Sequence, residues 1–204
     1  MDERAGTDER AEALADARER AAFGPDDRWY FLLDPAWEGA DEEAEPPSAA
    51  VVGGWFVEEG EEPLFRPNPD YEPSRPGLPT DPVDAALQLV VEGAVDGGEV
   101  LDALGRVVLG LAVDEEGTTV VTRAPDELLS VLVATAPAHR RRVPDAWWVE
   151  VTIDEIADGL PESGLDVLLN PGAPASMRIG AATLKDAFAT EEPTEDEPEP
   201  APAS

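Results

Sequence analysis

Cysteine is absent from the 204 residues, which excludes disulfides, thiolate nucleophiles and zinc–thiolate centres together. Histidine occurs once, at His139, so no cysteine–histidine couple can form. No apolar run approaches the roughly 20 residues of a membrane span; the longest, Val107 to Val113, is strand-sized. The opening MDERAGTDERAEALADARER lacks the apolar stretch of a Sec-type signal, so a cytoplasmic protein is expected. Positive charge is also scarce. Fourteen bases, all arginine but for Lys185, face 46 acids, and the net charge is −32. Such a surface repels phosphate backbones and anionic headgroups, so nucleic acid and membranes are poor partners and a basic protein patch or a cation is a better one.

Four segments follow from composition. Residues 1–27 alternate acids with Arg and Ala and read as a charged helix with a thin apolar face or as disordered chain. Residues 28–79 hold two strands and a Pro-rich extension, and 80–188 hold an α+β domain. Residues 189–204 carry six acids and no base, which predicts a disordered acidic tail.

Trp29 to Leu33 reads as a buried strand, and Val51 to Val57 as a second, with Gly53–Gly54 marking a bulge or a close backbone approach. The proline-rich stretch 58–81 should run extended over the surface, pinned by Phe65 and Tyr71. Val83, Ala86, Leu87, Val90 and Val91 make one apolar helical stripe, with Asp81 as N-cap, Pro82 at the first helical position and Gly93 at the stop. A short helix over 98–104 follows, then strands at 107–113 and 118–122 around a Glu115–Gly117 turn. Strands are predicted at 128–135, 147–151, 166–169 and 175–179. Helices are predicted at 152–160, with Thr152 and Glu155 as a capping box, and at 181–188. Without strict βαβ alternation, the expected class is α+β: a single mixed or antiparallel sheet with flanking helices.

The search for chemistry finds no dinucleotide or phosphate-binding loop and no nucleophile elbow. Asp114–Gly117 lacks calcium-loop spacing and suits a hairpin turn. His139 precedes Arg140, Arg141 and Arg142, which disfavour its protonated form and suit a satisfied loop histidine. No catalytic residue, cofactor or metal is therefore expected. The three consecutive arginines serve either to neutralise acids of the folded body or as a basic patch offered to an acidic partner or to the chain's own tail. In the run from Asn170 through Pro171, Gly172 and Ser176 to Ile179, turn chemistry and alternation describe a core hairpin. Trp147 and Trp148 are adjacent on a strand, so one should face the core and the other could anchor an interface.

LLNPGAPASMRI (168–179) resembles the L-N-P-G-S-P-x-S motif that ends the SseB N-terminal domain, and residues 80–188 resemble that module. Over about 28–188 the chain resembles the actinobacterial type VII secretion system-associated proteins. The motifs, in order, are LLDPAW (32–37), VVGGW (51–55), FRPNPDY (65–71), TDPVDAALQLV (80–90), VLVATAPAHRRRV (131–143) and DVLLNPGAPASMRI (166–179). An arginine-rich, Ala/Pro/Gly-rich composition suits a high-GC host. The resemblance implies an accessory component with no catalytic motif to carry over. The expected function is a non-enzymatic adaptor in the cytosol for a type VII (ESX-like) secretion system, binding secretion components or substrates. The expected contact residues are Thr135, His139, Arg140, Arg141, Arg142, Trp147, Trp148, Asn170, Pro171, Gly172 and Ser176. The alternative is an acidic mimic of nucleic acid that blocks a basic binding site.

Overall fold

The computed structural model describes residues 28–38, 45–57, 62–123 and 127–188. The expected N-terminal helix or disordered segment (1–27) and the acidic tail (189–204) lie outside these residues. The class is α+β, with a mixed sheet flanked by helices. The N-terminal strands do not join that sheet directly. β1 (Arg28–Leu33), β2 (Val51–Val57) and β3 (Phe65–Pro67) form an antiparallel sheet of their own, in that order. A single parallel bridge from Phe65 to Val107 links it to the main body.

The main sheet has the order β7-β4-β6-β8-β9, from β4 (Leu109–Val113), β6 (Leu129–Ala134), β7 (Trp147–Val151), β8 (Asp166–Leu169) and β9 (Met177–Ile179). β6 and β8 are parallel; the other pairs are antiparallel. β5 (Val121–Arg123) departs from the expected hairpin. Thr119 bridges Val113 once, and the chain then crosses to pair with the first half of β6, whose second half carries β4.

Alternation along β6 and β8 divides the core. Val131, Val133, Val167 and Leu169 face one side with Leu109 and Ile179, and there they meet Leu87, Leu104, Ile153 and Leu184 from the helices. Those helices are α1 (Pro82–Val91), α2 (Gly98–Leu104), α4 (Ile153–Gly159) and α5 (Ala181–Phe188). Leu132, Leu168 and Ala112 face the other side, under the half-buried Val120, Val143, Ala146 and Trp148. Burial of each large aliphatic on the helix side contributes about 1.5–3 kcal/mol. Among the described residues no helix is long and apolar enough to cross a membrane.

Several local expectations hold for the reasons given. Asp81 caps α1 by accepting from the Val83 and Asp84 amides at 2.8 and 2.9 Å. The Glu155 carboxylate accepts from the Thr152 amide at 2.8 Å and fastens the first turn of α4. Gly93 ends α1 with φ 71°. Phe65 and Tyr71 are buried and pin the proline-rich stretch, part of which is β3. Two readings need correction. Val91 lies beyond the buried stripe and is exposed. The β1 strand forms but is not buried: Trp29, Tyr30, Phe31 and Leu32 are 40, 53, 56 and 38% exposed, because β1 is the outermost strand of a small sheet.

Candidate functional site

The carboxyl ends of the parallel strands β6 and β8 converge with the amino end of α1, and a buried polar cluster forms there. Thr135 follows β6, Asn170 follows β8, Thr80 and Asp81 open α1, and Asp84 lies in its first turn. His139 comes from α3 (Pro137–Arg140), a turn of helix where the sequence suggested a loop. All six side chains are buried. The Thr135 hydroxyl donates to Asp81 Oδ2 at 2.7 Å and accepts from Asn170 Nδ2 at 2.9 Å. Asn170 Oδ1 accepts from the Thr135 amide at 2.9 Å, so one side chain ties the two strand ends together. Thr80 donates from Oγ1 to Asp81 Oδ2 at 2.9 Å, and its amide donates to Asp84 Oδ2 at 3.0 Å. Because the Thr80 proton points to Asp81, its oxygen is free to accept from His139 Nε2, 2.8 Å away. That assigns the Nε2–H tautomer and leaves buried Nδ1 as a bare lone pair with no partner among the described residues.

The electrostatics favour a neutral imidazole. Burial pushes the His139 pKa down, the Asp84 carboxylate pulls it back up, and Arg142 lowers it further. Its 3.8 Å approach to Asp84 Oδ1 is therefore a dipolar contact and not an ion pair. Burial pushes Asp81 up from 3.8 to about 6 and the Asp84 charge adds to this, against bonds from Thr135, the Asp84 amide and Thr80. A folded-state pKa above the unfolded value means that the folded protein holds this proton more tightly. The resulting stabilisation is fully present below the unfolded value and is lost as pH rises through about 6. The stability difference between wild type and Asp81→Asn, measured by urea unfolding, should therefore shrink by on the order of 2–3 kcal/mol between pH 4 and pH 7. A difference that grows with pH would contradict the assignment.

Three of the expected contact residues, Thr135, His139 and Asn170, are thus corrected. Each is buried because its polar atoms complete this cluster, and none reaches the surface. The arginines divide. Arg140, half-buried, lies flat over Gly110, where an added Cβ would sit 2.9 Å from its Nε, and its guanidinium stands 5.8 Å from the Trp148 ring centroid. Arg141 pairs with Glu72 at 2.8 Å, an exposed contact worth at most about 1 kcal/mol. Arg142 is exposed, with its stem 3.8 Å from where a Gly172 side chain would begin; among the described residues it makes no side-chain ion pair. Internal neutralisation therefore accounts for Arg141, and outward presentation for Arg142. Pro171 is half-buried, Gly172 and Ser176 are exposed, and Ser176 Oγ donates to the Leu169 carbonyl at 2.9 Å, closing the β8–β9 hairpin. The tryptophans split as expected: Trp148 packs on the core and Trp147 is 62% exposed.

Sequence reasoning missed a second cluster. Asp34, buried after β1, accepts from Ser74 Oγ at 2.7 Å, Tyr71 Oη at 2.8 Å, the Ala36 amide at 2.8 Å and the Ser74 amide at 3.1 Å. Burial alone would raise its pKa, but these four donors hold it well below the usual carboxylate range. It latches the proline-rich stretch to the end of β1. The signal was present only as the separate motifs LLDPAW and FRPNPDY. Asp84 and Thr80 were likewise visible only as neighbours of a helix cap.

A groove of about 610 Å³ lies between α2 and the end of α5, lined by Glu62, Asp102, Arg106, Asp154 and Phe188. A smaller one of about 230 Å³ adjoins Asp34 and Trp37, and an apolar one of about 180 Å³ lies between β5 and α4. The Asp81–His139 cluster borders none of these three. Its arrangement binds strand ends and a helix start to one another. No protein-family model, curated protein or solved structure matches this chain.

Proposed function

We propose that this chain is a non-enzymatic accessory protein of a type VII (ESX-like) secretion system, acting in the cytosol by binding another protein. One observation carries the reading. The buried titratable side chains Asp34, Asp81, Asp84 and His139 are bonded within the fold, while large apolar side chains are left outside on edge strands. Trp29, Tyr30 and Phe31 project from β1, and Trp147 and Val149 from β7. The motif resemblance supports the specific system, because its motifs meet in pairs. Asp34 of LLDPAW bonds Tyr71 of FRPNPDY, and Phe65 of that motif packs on Gly53 of VVGGW. Asp81, Thr135, His139 and Asn170 come from the remaining three. Residues that bond across 35 to 59 positions form one mechanical unit, which gives a reason for the motifs to occur together.

The test is in-cell crosslinking and affinity purification from the native host, read by mass spectrometry. Secretion components or substrates should be enriched with the wild type. Recovery should fall roughly tenfold, as for loss of an interface hot spot, when the exposed residues of the contact surface are changed together (Arg142→Glu with Trp147→Ala). Enrichment of a DNA-binding protein that DNA displaces would support the mimic instead, and an unaltered profile for the double variant would remove this surface from the account.

A further inference from the structure

We infer that the outer edge of β1 captures an extended polypeptide segment carrying basic residues at both ends, adding it to the small sheet as a fourth strand. This rests on the contact-based reading above and names the chemistry of the partner.

The first ground is geometric. β1 is terminal in the β1-β2-β3 order, and among the described residues no strand lies beyond it. Among the described residues, therefore, every second N–H and C=O on that side has no ladder partner. Edge strands normally carry a lysine, a proline or an inward charge that blocks such pairing. Trp29 to Leu33 carries none. Both faces of the strand are exposed as well, through Trp29 and Phe31 on one side and Tyr30 and Leu32 on the other.

The second ground is that the aromatic face is already ordered. Trp29 and Phe31 are stacked at 5.9 Å with 4° between their planes, and Phe56 lies 5.3 Å from Trp29. Gly54, opposite Phe31, leaves room for this: an added Cβ would come within 3.0 Å of Phe31 and 3.3 Å of Trp29. A platform set before binding loses little side-chain entropy when a partner arrives.

The third ground is charge, and it chooses the occupant. The connector leaving β1 contains Glu38, Asp41, Glu42, Glu43 and Glu45. Val57, which pairs with Arg28 at the other end of β1, leads into Glu58, Glu59, Glu61 and Glu62. Glu38, Glu45 and Glu62 are exposed. The described acids that flank the strand are thus Glu38 and Glu45 beyond its end and Glu62 beyond the partner of its start, with Arg28 the one base in the strand. A second copy of this chain would bring the same acids and a further −32 charge, so like-charge repulsion opposes β1–β1 pairing. A peptide with an alternating apolar core and Lys/Arg at each end satisfies the ladder, the aromatic platform and the charge together.

The probe is a fluorescein-labelled peptide, Lys-Arg-Val-Thr-Val-Thr-Val-Thr-Arg-Lys, titrated with the full chain and followed by anisotropy. Binding should weaken roughly tenfold when the ends are changed to glutamate, and again when salt rises well above 0.15 M. It should weaken by about the same factor when proline replaces the central valine, because proline cannot donate to a ladder. Amide exchange at Trp29–Leu32 should slow on binding. Phe31→Glu should abolish capture. Because that change disturbs the aromatic stack, the exposed triple variant Glu38→Lys, Glu45→Lys and Glu62→Lys provides the second arm; it should prefer the acidic-ended peptide. Equal binding of the proline-interrupted peptide overturns the proposal, as does loss of binding in Arg142→Glu/Trp147→Ala with Phe31→Glu unaffected. A dimer in sedimentation that dissociates in Phe31→Glu also overturns it, in favour of self-pairing. Probe capture without any secretion component from the host sinks the functional reading and keeps this one. Recovery of those components equally by wild type and Phe31→Glu does the reverse.

Discussion

Replacing Asn170 with alanine is expected to lower the unfolding free energy by about 3–5 kcal/mol, close to the whole stability of a marginal domain. The buried side chain accepts from the Thr135 amide and donates to the Thr135 hydroxyl, whose own proton goes to Asp81. Its loss strands a buried amide, which costs about 1–3 kcal/mol. It also leaves the Thr135 hydroxyl dividing its bonding with Asp81 alone. The backbone adds a second contribution. Asn170 has φ 48°, in the left-handed region where asparagine is tolerated and alanine costs about 1–2 kcal/mol. Asn170→Gly separates the two, since it removes the strain and keeps the bonding defect; it should recover only about 1 kcal/mol of the loss. Urea unfolding followed by tryptophan emission measures all three proteins. Equal stability of the alanine variant and wild type would mean that the strand ends are held by something other than this side chain.

Gly53→Ala should be as damaging at a single methyl's distance. The new Cβ would lie 2.5 Å from the Arg66 carbonyl oxygen and 2.8 Å from Phe65 Cε1, closer than real Cβ contacts come. The carbonyl belongs to β3, paired through Gly53–Pro67 and Gly54–Arg66, and cannot rotate away. Relief therefore requires β3 to shift and to carry Phe65 with it. Phe65 is fully buried, packs edge-on against Trp55 at 4.8 Å and supplies the bridge to Val107. Losing most of that burial corresponds to about 3–5 kcal/mol, the usual range for emptying a buried aromatic site. Near-ultraviolet circular dichroism should lose the Trp55–Phe65 signal with it. Gly97→Ala is the control: nothing lies within 4 Å of its added Cβ and its φ is −68°, so it should stay within about 0.5 kcal/mol of wild type.

Local physics explains which parts of this fold were legible. The helix over Pro82–Val91 announced itself by a cap, a proline and a stripe, all within a dozen residues. Its last valine was misread because periodicity gives the direction of a side chain without saying how far the neighbouring layer extends. β1 failed for the same reason on a larger scale. Five consecutive large apolar residues read as interior, yet strand order places them at a sheet margin, and order is set by pairings with β2 and β3 that no local window contains. The α3 turn and β3 are four and three residues long, below the length at which a period can be counted. The Asp81–Thr135–Asn170 cluster was visible only in fragments: a helix cap, a threonine after a strand, an asparagine before a proline. Their meeting depends on β6 and β8 being parallel neighbours, which brings Thr135 and Asn170 to the same end. Composition could not rank the three arginines. Gly110, a β4 residue far off in sequence, is what lets Arg140 lie down while Arg142 stands clear.

The buried imidazole has a practical consequence. Because His139 is the protein's one histidine, the proton on its Cε1 gives a single nuclear magnetic resonance line with no other imidazole to confuse it. That ring touches the start of α1 through Thr80 and sits one residue before the arginine turn. The molecule therefore carries its own label at the junction of its layers, and any ligand, variant or acid treatment that loosens this junction can be followed at one line without isotopes or engineered tags.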